Sequence, residues 1–271
     1  MAKVFTVAMH KGGAGKTSLL TNLVGGLTVK YPDKRILVID TDSQANALMA
    51  FGGSPQEFPT GVHNLFLGDR DVKDCIYRLL DNVDIIPSTD EMDFIEFEVL
   101  LDEWRREEPF NKLDTAIEDI RDEYDYIFID TPPSMNLITG NALKVSDEVI
   151  IPFQPETFGV NGIMKVLKTI NDLNESLNSD IKVFGVVGMM VDSRASLHTM
   201  LVQDARKYCS ERGIHMFDAV IPKSVRFANA TAFEGLPATM VESEDRKRHH
   251  IVNAYYDLLD EMLQREGVIN G

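Results

Sequence analysis

The sequence predicts an α/β fold, in which a mainly parallel, twisted sheet is covered by helices on both faces. Short apolar runs rich in β-branched residues recur along the 271 residues, and each run is continuous in hydrophobicity, as in strands buried on both faces. Helical patterns separate these runs, and such alternation favours parallel strands joined by helices. No internal repeat or long linker interrupts the alternation, so we expect residues 1–271 to form a single domain.

The elements can be placed in chain order from these patterns. The predicted strands are short and apolar, and they cover residues 3–9, 35–40, 83–87, 126–130, 148–152, 181–190 and 215–222. The predicted helices fall between the strands and cover residues 16–30, 90–106, 111–123, 135–145, 157–177, 196–212 and 244–265. The glycine- and proline-containing stretches 52–55 and 57–60 predict an exposed loop rather than a domain boundary.

Composition narrows the class of protein. The formal net charge is -16, which taken alone argues against a nucleic-acid binder, because DNA is itself a polyanion. The acid is unevenly spread, however: residues 96–125 contain 12 acidic and 4 basic residues, so other surfaces can still be basic. The ordinary interpretation of this acidic segment is a pair of solvated helices.

The chain shows the features of a protein of the cytoplasm. Apolar runs stay shorter than a membrane span, and the first predicted strand begins at Lys3, so we expect neither a membrane segment nor a signal peptide. Cys75 and Cys209 lack the spacing of metal ligands and are expected to be packing residues in a reducing compartment.

The segment AMHKGGAGKTSLL (8–20) joins the first predicted strand to the first predicted helix. Its Gly15-Lys16-Thr17 matches the end of the phosphate-binding pattern G-x-x-x-x-G-K-[ST], but His10 replaces the first glycine and Lys11 follows it. Glycines in such a loop let backbone N–H groups turn towards phosphate oxygens, and the helix N-terminus favours negative charge. Lys16 is expected to neutralise the β- and γ-phosphates, and the Thr17 hydroxyl to bind Mg²⁺.

The stretch KGGAGKT resembles the deviant Walker A motif, K-G-G-x-G-K-[ST], of the ParA/MinD group of P-loop ATPases. The resemblance implies ATP and Mg²⁺ as cofactors. It also implies a nucleotide-binding loop formed by Gly12, Gly13, Ala14, Gly15, Lys16, Thr17 and Ser18. In that family the first lysine, here Lys11, reaches the phosphates of the partner subunit, so the resemblance implies a homodimer in the ATP-bound state. A cation supplied in trans acts only when two subunits meet, as an arginine finger does.

Two further segments support the resemblance. ILVIDTDSQANA (36–47) is similar to the family motif D-x-D-P-Q-x-N, with Ser43 in place of the proline. Asp42 is the residue expected to position the attacking water, and Asp40 to organise the Mg²⁺ waters or the loop itself. YIFIDTPPS (126–134) resembles a Walker B strand, whose Asp130 is expected to hold Mg²⁺ through water. All three motifs follow predicted parallel strands, whose carboxyl ends form the ligand-binding edge of such sheets.

The resemblance extends over nearly the whole chain and is weakest in residues 54–125. The stretch IIPFQPETFGVNGI (150–163) has the family's Pro152 and Glu156, whereas Met9 replaces an asparagine common in relatives. The stretch VIPKSVRFANATAFEGLPA (220–238) resembles a segment of partition ATPases. The resemblance implies non-specific DNA contacts from Arg194 and Arg226, assisted by Lys223, and the basic run 245–250 is a further candidate.

The compact, Soj-like type of partition ATPase fits the remaining features. The acidic C-terminal end lacks the basic amphipathic helix of membrane-binding relatives. The two cysteines lie outside the motif strands, where an iron–sulfur cluster would need them. No additional N-terminal DNA-binding domain is expected. The type implies nucleoid association, no membrane binding, and a ParB-like centromere-binding protein that stimulates hydrolysis. A related ATPase that positions a protein complex or a membrane-associated cargo is the alternative. A metabolic kinase is a third interpretation, for which no acceptor-binding motif is seen.

Overall fold

The computed structural model describes residues 1–157, 159–241 and 246–268, and for residues 246–250 only the backbone. In these ranges the strands are β1 (Lys3–Val7), β2 (Ile36–Asp40), β3 (Tyr77–Leu80), β4 (Val83–Ile86), β5 (Tyr126–Asp130), β6 (Glu148–Phe153), β7 (Lys182–Val191) and β8 (Met216–Pro222). They form one sheet in the order β3-β4-β2-β5-β1-β6-β7-β8, and all neighbours are parallel except β3 and β4.

Helices cover both faces of the sheet. The α-helices of the described ranges are α1 (Lys16–Lys30), α2 (Asn46–Ala50), α3 (Val62–Leu67), α4 (Ile95–Leu101), α5 (Lys112–Ile117), α6 (Leu137–Lys144), α7 (Gly159–Leu177), α8 (Ser196–Ser210), α9 (Val225–Asn229) and α10 (Arg246–Arg265). Helices α1, α2 and α10 pack on one face, and α3 to α8 pack on the other. The predicted fold class is confirmed: the strands that sequence patterns placed are buried between two helical layers.

The register of the central strands sets the position of the functional motifs. In β1 and β5, Val7 lies opposite Asp130, and in β2 and β5, Asp40 lies opposite the same Asp130. These three residues are the last of their strands. Because the strands are parallel, the loops that follow them leave the sheet at one edge, side by side.

The structure corrects the prediction in the region between β2 and β5. Strand β3 is an antiparallel edge strand that was not predicted, and helices α2 and α3 were also missed. These elements are only four to six residues long, too short for a clear periodic signal. The loop predicted at 52–60 contains one 3₁₀ turn, Pro55–Glu57.

Two long predicted helices are broken. Residues 90–106 form a 3₁₀ turn (Asp90–Asp93) and then α4, which ends where Asp102 takes an extended backbone with ψ of 128°. The Asp102 carboxylate accepts backbone hydrogen bonds from Trp104 and Arg105, and this local turn competes with helix continuation. Likewise residues 111–123 form α5 followed by a 3₁₀ stretch.

Every helix of the described ranges is too short or too polar to cross a bilayer. Cys75 and Cys209 are unpaired with each other and buried in the apolar layers on the α3–α8 face, as expected of packing residues.

Candidate functional site

The loop between β1 and α1 has the backbone of an anion-binding turn. Gly13 and Gly15 take left-handed φ values of 72° and 84°, and α1 begins immediately afterwards at Lys16. An L side chain at Gly15 would be strained by this φ, and its Cβ would lie 3.0 Å from the Met189 methyl group. Glycine is therefore required where the loop turns into the helix, whose first N–H groups are open to a ligand.

A cavity of about 470 Å³ opens above this loop. It is lined by the loop, by residues from two other motif segments and by one residue of β7: Gly12, Gly13, Ala14, Gly15, Lys16, Thr17, Ser18, Asp42, Gln44, Asn46, Pro133 and Met190. The volume is in the range of small-molecule sites. The structure thus brings the predicted nucleotide loop and Asp42 together around one space.

Lys16 is buried in the wall of this cavity. Its side chain points back along the loop, with Nζ 3.5 Å from the carbonyl oxygen of Lys11. Burial lowers the pKa of the Lys16 ammonium group, and the nearby carboxylates of Asp130 and Asp42 act in the opposite direction. An additional anion in the cavity would favour the charged form of Lys16 in the same way.

Asp130 and Thr17 form a buried pair at the floor of the site. The Thr17 hydroxyl donates to Asp130 Oδ2 at 2.5 Å, while Asp130 Oδ1 is buried with no hydrogen-bond partner among the described residues. Burial raises the pKa of Asp130 to about 7, although the Thr17 hydrogen bond and the Lys16 charge lower it. An orphaned carboxylate oxygen beside a threonine hydroxyl is the oxygen-rich arrangement that suits a hard divalent cation, so these residues fit Mg²⁺.

Asp40 uses both carboxylate oxygens to hold the loop that follows β2. Oδ1 accepts the backbone N–H of Asp42, and Oδ2 accepts those of Ala47 and Leu48 at the start of α2. The side chain is fully buried, and burial together with the neighbouring Asp130 carboxylate raises the pKa of Asp40 well above its usual value. Of the two roles expected for Asp40, these contacts favour organisation of the loop.

Asp42 lies half-buried on the cavity wall between the loop after β2 and the phosphate-binding turn. Its Oδ1 accepts the backbone N–H of Gln44 at 3.1 Å, which fixes the carboxylate within the loop. Ser43, which stands where the family has proline, lines a smaller adjoining cavity together with Pro132 and Pro133.

The side chain of Lys11, just before the glycine loop, points away from this cavity. Its Nζ contacts Glu156 Oε2 at 2.5 Å and Gln154 Oε1 at 3.3 Å, both on the segment after β6. The side chain is 45% exposed, and it lines a separate cavity of about 340 Å³ with Glu156, Asn161 and Lys165. In the isolated subunit Lys11 is therefore paired in cis with a carboxylate.

Other contacts tie the site to the rest of the fold. The Ser18 hydroxyl lies 3.1 Å from the hydroxyl of Tyr255, which is fully buried in α10. Met190, at the end of β7, takes a left-handed φ of 54° and its sulfur accepts from the Gln154 amide. Sequence patterns did not single out Gln154, Met190 or Tyr255, because each meets the loop only through distant chain contacts.

The residues predicted to contact DNA lie at the same edge of the sheet. Arg194 is 89% exposed in the loop after β7, where its guanidinium forms a bidentate pair with Asp192. Lys223 is exposed after β8, and its backbone N–H donates to the Val191 carbonyl, which joins the two loops. Arg226 is half-buried in α9. The basic run 245–250 lies outside the described residues except for the backbone of its helical part.

The fold and the site define a P-loop nucleotide-binding protein, and comparisons with known proteins give the family. A family model described as an AAA domain matches residues 2–183. The sporulation initiation inhibitor protein Soj of Bacillus subtilis is 34% identical over 263 residues, covering 97% of this chain and 98% of that protein. The chromosome partitioning protein ParA of Caulobacter vibrioides is 32% identical, covering 97% and 95%.

A solved structure shares this fold. Cobyrinic acid a,c-diamide synthase from Mycobacterium smegmatis, crystallised with an ATP analogue and magnesium, has a TM-score of 0.79 at 25% identity, with 98% of this chain and 96% of that one covered. The chain belongs to the ParA/Soj family of P-loop proteins, as its motifs predicted.

Proposed function

We propose that this protein is a DNA-segregation ATPase: an ATP-bound dimer that holds DNA non-specifically and is released when a partner stimulates hydrolysis. The proposal rests on one observation: the phosphate-binding turn, the Thr17–Asp130 pair and Asp42 meet at one cavity. The chromosome-partitioning function of the homologous ParA of Caulobacter vibrioides supports the biological role.

ATP is the substrate that the site suits. The N–H groups of residues 12–18 and the Lys16 ammonium bind the phosphates, and Thr17 with Asp130 holds Mg²⁺. The metal, when bound, would offset the negative charge of the phosphates. Asp40 keeps the Asp42 loop in place through its three backbone hydrogen bonds.

Hydrolysis requires a water in line with the γ-phosphorus. Asp42 accepts a hydrogen bond from that water, whose oxygen bonds to phosphorus as the bond to the β–γ bridging oxygen breaks, giving ADP and inorganic phosphate. Lys11 acts in trans: in the dimer it leaves Glu156 and stabilises the charge on the partner's transferring phosphoryl group.

DNA contact follows from the cationic loops after β7 and β8. Arg194, Lys223 and Arg226 lie in segments joined by the Lys223–Val191 hydrogen bond, so two subunits present twice this set of cations. Phosphate contacts of this kind carry no sequence information and weaken steeply with salt. A ParB-like protein bound at a centromere site is the partner that such a cycle requires.

The test compares Asp42→Ala with Asp33→Ala, an exposed aspartate in the turn before β2. We expect Asp42→Ala to bind ATP normally and to remain on DNA. It should hydrolyse ATP at least 100-fold more slowly, which is a typical loss when a catalytic positioning group is removed. Asp33→Ala should behave as the unaltered protein. Hydrolysis at the unaltered rate in Asp42→Ala would show that Asp42 does not position the water. The proposed function would be refuted if the unaltered protein stayed monomeric with AMPPNP and magnesium and did not bind DNA more tightly.

A further inference from the structure

The C-terminal helix α10 reaches the nucleotide-binding loop through one buried hydroxyl group. Tyr255 is 1% exposed, and its hydroxyl oxygen lies 3.1 Å from the hydroxyl oxygen of Ser18. The two residues are 237 positions apart in the sequence, so only the packing of α10 against α1 brings them together. Ser18 also lines the nucleotide cavity. Its side chain therefore stands between that cavity and α10.

Packing fixes the position of the Tyr255 ring. The ring of Phe227 in α9 meets it edge-on, with 5.1 Å between the ring centroids and 82° between the ring planes. Tyr255 also belongs to the apolar cluster that contains Leu19 and Leu23 of α1. A tyrosine has only two side-chain torsions, so a ring that is packed in this way presents its hydroxyl at one place. The hydroxyl is thus a fixed point against which Ser18 can be oriented.

The surroundings decide which of the two hydroxyls donates the hydrogen bond. Among the described residues, Ser18 is the one hydrogen-bond partner of the Tyr255 hydroxyl. If Ser18 donated, the phenolic O–H of Tyr255 would lie buried without an acceptor, which is unfavourable. Burial raises the pKa of the Tyr255 phenol, although its hydrogen bond with Ser18 acts in the opposite direction, so the phenol keeps its proton. Tyr255 is therefore the donor, and Ser18 Oγ is the acceptor.

This direction leaves the proton of the Ser18 hydroxyl available to a ligand. A serine hydroxyl has one proton to donate and two lone pairs that accept, and Tyr255 uses one of those lone pairs. Accepting a hydrogen bond also makes a hydroxyl a better donor, because hydrogen bonds in a chain polarise one another. The Lys16 ammonium and the backbone N–H groups of the loop are donors at the same cavity. A ligand that accepts from all of them is an anion, such as a phosphate group.

We propose that Tyr255 is a positioning residue for the nucleotide: its hydroxyl holds Ser18 so that Ser18 donates its proton to a phosphate oxygen. Without the Tyr255 hydroxyl, the Ser18 side chain is free to rotate and to bond a backbone carbonyl of the preceding turn, as serines in helices often do. The inference deepens the proposed function and rests on its nucleotide site, but it requires neither hydrolysis nor DNA binding. It gives α10 a direct part in nucleotide affinity.

Calorimetric titration with ADP and magnesium measures the effect, and ADP is used because the proposed dimer requires ATP. We expect Tyr255→Phe, which keeps the ring and its packing, to bind ADP roughly three- to tenfold more weakly, as for the loss of one neutral hydrogen bond. Ser18→Ala should lose at least as much affinity. The double variant should be no weaker than Ser18→Ala, because Tyr255 acts through Ser18.

Tyr256→Phe is the matched control. The Tyr256 hydroxyl donates to the Thr239 carbonyl at 2.7 Å, so this variant removes a tyrosine hydrogen bond from the same helix and leaves Ser18 untouched. Thermal unfolding should show that both tyrosine variants fold, while only Tyr255→Phe loses affinity for ADP. Ser18→Thr, which keeps a hydroxyl, is a second control: Tyr255→Phe should weaken ADP binding in that background as it does in the unaltered protein.

Three results would overturn the proposal. The first is ADP binding of unaltered strength in Tyr255→Phe. The second is equal weakening in Tyr256→Phe, which would mean a general loosening of α10. The third is full addition of the two losses in the double variant, which would mean that Ser18 and Tyr255 act independently.

The proposed function can fail separately from this inference. A protein that binds ADP with magnesium, but neither hydrolyses ATP nor binds DNA more tightly with AMPPNP, would contradict the proposed function. The dissociation constants of the variants for ADP would still decide whether Tyr255 positions Ser18.

Discussion

The Lys11–Glu156 pair gives a quantitative prediction about dimerisation. In the isolated subunit Lys11 Nζ lies 2.5 Å from Glu156, and the two side chains are 45% and 53% exposed. The proposed dimer requires each Lys11 to leave Glu156 before it can reach the partner's phosphates. Glu156→Gln keeps the shape of the side chain and removes its charge, so it lowers the cost of that release.

The size of the effect follows from the exposure of the pair. Half-exposed ion pairs contribute roughly 0.2–1 kcal/mol, and a symmetric dimer releases two of them, so the variant gains about 0.4–2 kcal/mol. This corresponds to dimerisation that is roughly 2- to 30-fold tighter, at about 1.4 kcal/mol for each factor of ten. Screening at about 1 M salt shortens the reach of the charges to about 3 Å, so the difference should shrink there.

Sedimentation velocity with AMPPNP and magnesium measures the dimer dissociation constant directly. Glu175→Gln is the control, because it removes one exposed carboxylate near the C-terminal end of α7, the helix that follows the Glu156 segment. A dimer of unchanged strength in Glu156→Gln would show that the cis pair does not compete with assembly. A weaker dimer would show that Glu156 itself takes part in the contact between subunits.

Two further predictions concern the metal and the DNA. Because burial raises the pKa of Asp130 to about 7 and Mg²⁺ binds the ionised carboxylate, magnesium affinity in the presence of nucleotide should fall as pH drops below 7, approaching about tenfold for each unit. Calorimetric titration between pH 8 and pH 5.5 checks this, and Asp130→Asn should bind magnesium weakly with little of that dependence. Arg194→Gln should reduce the salt slope of DNA binding by about two, one phosphate contact for each subunit of the dimer, whereas Lys168→Gln on the exposed face of α7 should leave it unchanged. A mobility assay at several salt concentrations decides this, and equal slopes in the two variants would move the DNA contact away from Arg194.

The strands and the positions of the motifs were predictable because they rest on local signals. Continuous apolar runs identify buried strands, and parallel strands must place their carboxyl ends at one edge. The sequence therefore predicted that Asp40 and Asp130 would lie at the carboxyl ends of parallel strands, and the register shows that these two strands are neighbours with the two residues side by side. The boundaries were less accurate: β1 ends at Val7 rather than at residue 9, because the chain turns there into the glycine loop.

The segment between β2 and β5 could not be predicted in the same way. The apolar positions 94, 95, 97 and 99–101 are compatible with either face of α4 being buried, and only the packing of Ile95 and Val99 decides between them. The end of α4 depends on the hydrogen bonds that the Asp102 carboxylate accepts, and helical periodicity in the sequence does not reveal such bonds. The Lys11–Glu156 pair joins residues 145 positions apart, so only the assembled sheet brings them together.

The strand order also separates the acidic helix α4 from the loops that we propose contact DNA. The apolar cluster beneath α4 includes Leu37 and Ile39 of β2, whereas Arg194 follows β7. Four inter-strand steps separate β2 from β7 in the sheet, which is about 19 Å at roughly 4.8 Å each. That separation exceeds the screening length of about 8 Å at physiological salt, so the acids around α4 only weakly oppose the DNA contact that we propose for the loops after β7 and β8.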